Sequence, residues 1–62
     1  MRPGDGVRAL VLITQLNWMG RRVWTHARPG DVGEVLSVDP LIVFFPRSGT
    51  RCTVETASVE PE

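Results

Sequence analysis

The sequence has no lysine and no charge imbalance, since seven arginines stand against seven aspartates and glutamates in 62 residues. Bulk electrostatics therefore makes no case for nucleic acid or for an anionic membrane surface as a partner. There is one cysteine, Cys52, which excludes an internal disulfide and a metal site built from several cysteines. Long apolar runs are missing too. The longest in the N-terminal half, Ala9 to Ile13, is too short for a membrane span and for the core of a signal peptide, despite Arg2 and Arg8 before it. The chain is thus expected to be soluble and cytoplasmic. Its 62 residues give room for one domain, and a chain of that size buries only about 60% of its unfolded surface, so every core position counts. No motif at catalytic, metal-binding or cofactor-binding spacing is present, and nothing in the residue pattern fixes an activity. No cofactor or metal is expected.

What the sequence does have is turn chemistry and short apolar runs. Arg28-Pro29-Gly30-Asp31 reads as a turn: Pro29 presets φ at the first central position, Gly30 accepts a positive φ at the second, and Asp31 can take nearby backbone N–H groups. The same tetrapeptide occurs at Arg2 to Asp5 in a leader expected to be mobile at its tip. The residues that follow the two copies share no register, which argues against an internal duplication. After the second copy, Val32 and Val35 are an odd step apart and would face opposite ways in a regular strand. A bend or bulge near Gly33 is expected to bring both inward, and Asp39-Pro40 to end the strand.

Four further strands are expected. Val7 to Ile13 would place Val7, Ala9, Val11 and Ile13 on one face and Leu10 and Leu12 on the other. Arg21 to Ala27 would place Arg22, Trp24 and His26 together on one face. Such a trio could grip a carboxylate, a phosphate or a flat ring, or could be a solvated face on which Arg22 covers the Trp24 ring. His26 by itself is no catalytic signal, because a general base needs a partner and none is nominated nearby in sequence. Between these strands Thr14 to Gly20 has the composition of a long loop, with Trp18 either capping the core or standing out as a binding anchor.

Leu41 to Phe45 carries the sharpest expectation. With Leu41, Val43 and Phe45 facing the core, Ile42 and Phe44 fall where a half-buried strand would carry polar residues. Together with Leu10 and Leu12 they predict an apolar outer face that meets a protein partner or a second copy of the chain. Pro46 to Thr50 reads as a hairpin loop with Gly49 in the left-handed region. Arg51 to Val54 returns as a strand with Cys52 and Val54 inward, so that Cys52 is a small core residue rather than a nucleophile. Glu55 to Ser58 suits a single 3-10 turn, and Val59 is the last inward residue.

The pattern Gly30-x-x-Gly33-x-Val35-x-x-Val38-Asp39, then Leu41 to Phe45 and the late Val54 to Pro61, resembles small SH3-like barrels over roughly residues 20–60. The nearest in kind are photosystem I reaction-centre subunit IV (PsaE) and the nitrogen-fixation accessory protein NifZ, with the KOW module a looser match. The resemblance implies an all-β chain, a small SH3-like barrel of about five strands with a short 3-10 turn before the last. It also implies a non-catalytic interaction module or accessory subunit of a larger assembly. Two alternatives stand beside it. One is an enzyme assembled from several small barrels, as in the plasmid-borne type II dihydrofolate reductase, whose Val-Gln-Ile-Tyr motif is absent here. The other is KOW-like nucleic-acid binding through Arg21, Arg22, Arg47 and Arg51, against which the zero net charge counts.

Overall fold

The computed structural model describes residues 1–16 and 19–62, and is all-β apart from one 3-10 turn. Seven strands follow in order: β1 Gly6–Ala9, β2 Ile13–Leu16, β3 Arg22–Ala27, β4 Val32–Val38, β5 Leu41–Phe45, β6 Thr50–Thr53 and β7 Val59–Pro61, with the 3-10 turn Thr56–Ser58 before β7. They form a five-stranded antiparallel sheet, β6-β5-β4-β1-β7, and a separate two-stranded sheet, β2-β3.

The core follows from alternation. Val7 and Ala9 on β1, Val35 on β4, Leu41, Val43 and Phe45 on β5, and Val54 and Val59 beyond β6 are all buried, with Ala27 closing the group from β3. Cys52 and Ile13 pack against it from half-buried positions. β5 alternates as expected: Leu41, Val43 and Phe45 face in, while Ile42 and Phe44 lie on the other face, half-buried. Phe44 sits in register between Glu34 and Arg51, whose aliphatic stems can shield part of a ring that water would otherwise meet.

Gly33 is where structure and expectation part. β4 keeps strict alternation from Val32 to Val35, so Val32 is exposed and Val35 buried, and no bulge lies at Gly33. The irregularity comes later, where Val35 pairs with Val43 but Ser37 pairs with Ile42, leaving Leu36 as the extra residue. Gly33 is needed for room instead. A Cβ there would lie 2.6 Å from Val43 Cγ1, 2.8 Å from the Phe44 carbonyl and 2.9 Å from the Phe45 ring.

The two Arg-Pro-Gly-Asp segments adopt the same turn. In each, the Asp N–H donates to the Arg carbonyl at 3.0 Å and the Asp carboxylate accepts the Arg N–H, at 2.9 Å for Asp5 and 3.1 Å for Asp31. Gly4 and Gly30 take φ of 94° and 93°, which a residue with a Cβ resists. Each turn then docks on the other's strand. Gly4 N–H and Asp5 C=O bond Val35 of β4, and Gly30 N–H and Asp31 C=O bond Ala9 of β1. The Met1–Gly6 segment, expected as a mobile leader, is therefore tied to β4 by two backbone hydrogen bonds at Gly4 and Asp5, and its last residue already belongs to β1.

The first strand is shorter than its apolar pattern predicts. Ala9 is bonded on one side to the Gly30–Asp31 turn and Leu10 N–H to the Ser58 carbonyl, after which neither β4 nor β7 offers a further partner. The chain bends at Leu10 and Val11, and restarts at Ile13 as β2, which pairs with β3 inside the stretch expected to be a loop. Leu10 and Leu12 thus lie off the strand instead of extending the outer face of β5, and Val11, expected inward, is exposed.

Candidate functional site

The polar centre of the molecule is built on a bulge in β3. Ile13 pairs with Ala27 and Thr14 with Thr25, so His26 is the extra residue on its strand. A bulge re-aims the side chain it carries. Here it buries His26 next to Ala27, so that both neighbours are covered where simple alternation would expose one. His26 is 4% exposed, whereas Trp24, two residues before it, is 57% exposed. The two rings meet edge to face with centroids 6.0 Å apart.

The hydrogen bonds around His26 select one tautomer. An indole N–H can only donate, and Trp24 Nε1 lies 3.1 Å from His26 Nε2, so Nε2 carries the lone pair. The proton then sits on Nδ1 and is donated to Thr50 Oγ1 at 2.7 Å. Downstream groups agree with this direction. Ser48 Oγ donates to the Phe45 carbonyl at 3.3 Å, so the Thr50 hydroxyl donates to Ser48 Oγ at 2.8 Å and is free to accept from the imidazole. The Gln15 side-chain amide reaches the same nitrogen, with Oε1 3.1 Å from Nε2. β2, β3 and β6 are thereby joined through one buried ring.

Beside this ring opens a cleft of about 410 Å³ lined by Thr25, His26, Ala27, Arg28, Asp31, Arg47 and Ser48. Asp31 organises its mouth. One carboxylate oxygen accepts the Arg28 backbone N–H and the other accepts Arg47 Nη1 at 3.1 Å. The Arg28 N–H lowers the Asp31 pKa below its ordinary value; partial desolvation opposes this by less, and the Arg47 guanidinium lowers it further. Cys52 shows the opposite case, its thiol pKa pushed up by burial, as befits a packing residue. Among the described residues no cluster of histidine, cysteine, aspartate and glutamate could hold a metal ion, and no helix is long and apolar enough to cross a membrane.

The residues singled out from the sequence divide. Trp24 and His26 share a face as expected, but His26 is buried within a network instead of lying on a solvated face. Trp18 and the Arg22 side chain lie outside the described residues. Leu12 is exposed on the bend between β1 and β2, apart from Ile42 and Phe44 on β5. Gln15, Ser48 and Thr50 carried no signal, because their roles depend on His26 from 11 to 24 residues away. Asp31 was legible only as a turn residue, and Arg47 only as a loop residue and one of four arginines considered for nucleic acid. The chain matches no known family model, no curated protein and no solved structure.

Proposed function

We propose that this chain is a small non-catalytic interaction module on an SH3-like barrel, binding a protein partner or a second copy of itself. Strand order supports the barrel reading: a first strand, an inserted hairpin, a three-stranded meander, a 3-10 turn and a last strand that returns beside the first. The observation that carries the functional reading is Leu10-Val11-Leu12. These three consecutive apolar residues are 45%, 47% and 44% exposed at a break between strands, where no ladder accounts for them. Leu36 and Val32 on the outer face of the sheet and Trp24 on β3 add to the exposed apolar surface, in a chain whose core is small. Trp24 suits an anchor, since its indole N–H is already bonded to His26 and a ring held this way loses little freedom on binding.

The test is sedimentation equilibrium and affinity capture with the parent and with a Leu10→Ser, Leu12→Ser variant, whose side chains are exposed and dispensable to the core. The parent should self-associate or retain a partner, and the variant should lose that association at an unchanged denaturation midpoint. A parent that stays monomeric at high concentration and retains nothing that the variant fails to retain would reject the proposal.

A further inference from the structure

We infer that the cleft between the Arg28–Asp31 turn and the Pro46–Gly49 loop is a binding site for a small oxyanion, a carboxylate or a phosphate. The argument is an account of donors. Arg28, Arg47 and Asp31 all line this cleft, two cationic residues against one carboxylate, which leaves a local excess of one positive charge on a molecule that is neutral overall. Asp31 brings one negative charge against two positive ones, and it meets Arg47 through a single Nη1 while its other oxygen accepts the Arg28 backbone N–H. Arg47 has five N–H donors in a planar fork, so Asp31 orients the group and leaves most of the fork open. The Arg28 guanidinium donates no hydrogen bond among the described residues, and the Thr25 hydroxyl makes none either.

Spare donors outnumber spare acceptors in the cleft. Ser48 Oγ accepts from Thr50, the His26 ring uses both nitrogens within the buried network, and each Asp31 oxygen already takes one N–H. A ligand entering here meets spare donors over a rigid buried floor, which suits an anion and disfavours a cation. The volume of about 410 Å³ is ample for a carboxylate or phosphate group with a body attached. Across the Arg47–Asp31 bridge lies a second hollow of about 240 Å³, lined by Gly30, Val32 and Pro46, where an apolar body could rest.

The experiment is a titration followed by amide and arginine Nε–H correlation spectra, with acetate or inorganic phosphate replacing chloride at constant ionic strength. Saturable shifts are expected at backbone N–H groups of residues 25–28, 30–31 and 47–49 and at the Arg28 and Arg47 side chains. Arg28→Gln and Arg47→Gln should each weaken binding by roughly tenfold, the loss of one charge-assisted pair. Arg28→Gln removes no hydrogen bond of the fold, so it keeps the test valid if Arg47→Gln disturbs the loop. Saturation by acetate alone assigns the site to carboxylates, and saturation by phosphate alone to phosphates. Shifts that stay linear for both anions, or that survive both substitutions, would overturn the inference. Leu10 and Leu12 line no part of the cleft, so this result is independent of the interaction surface proposed above.

Discussion

At Gly33 the demand on the residue is spatial. Its backbone is an ordinary extended strand, and the missing Cβ makes room for the Val43 methyl, the Phe44 carbonyl and the edge of the Phe45 ring. Among the described residues Phe45 is the largest fully buried side chain, so the core is assembled over this gap. Even Gly33→Ala should therefore destabilise the fold, by about 1–3 kcal/mol, the usual range for overpacking. Gly33→Val should cost more. Urea midpoints would show it, and an alanine variant as stable as the parent would mean that β4 and β5 can part without loss. His26 makes the complementary point at the same scale. A lone histidine between Thr25 and Ala27 carries no catalytic signal in sequence; its pairing with Trp24 is legible from strand alternation, but Gln15 and Thr50 reach it only through folding.

At the scale of elements, the two Arg-Pro-Gly-Asp turns and the strands they start are related by a local two-fold centred on the Val7–Gly33 pair. The residues that follow share no identity, Gly-Val-Arg-Ala against Val-Gly-Glu-Val, and so appeared unrelated in sequence. They do share a burial register, with Val7 and Ala9 buried on β1 and Gly33 and Val35 on β4. Antiparallel pairing of two such units lets each turn satisfy one end of the other's strand. Gly4 and Gly30 have open space around the missing side chain, so a Cβ at either meets only the cost of a positive φ. Gly4→Ala and Gly30→Ala should each cost about 1 kcal/mol, and the two should be similar. Chemical denaturation of the two variants decides it: a large loss at one and none at the other would show that only one turn is anchored.

Across the whole molecule, Asp31 links the turn before β4 to the loop after β5, and gives the fold a dependence on acid. Its folded pKa is lowered, so its contribution to stability is complete above the unfolded value, about 3.9, and is lost as pH falls through the lower folded value. Asp31→Asn should therefore denature at lower urea than the parent near neutral pH, and the gap should close in strong acid, where both chains carry a neutral group. A gap of constant size down to the lowest pH would show that the carboxylate's charge contributes nothing.

The all-β character, the alternation of β5, the glycine-led turns at residues 28–31 and 46–49, and the 3-10 turn before Val59 were legible in the sequence by itself. They rest on period-two burial and on φ preferences, which act between neighbours. The break at Leu10, the β2-β3 hairpin, the bulges at Leu36 and His26, and the bridge from Asp31 to Arg47 were decided by tertiary structure. Each depends on where a distant strand ends or where a distant side chain arrives. Leu10 to Ile13 is apolar and strand-like locally, yet it leaves the sheet because β4 and β7 have no partners left to offer it.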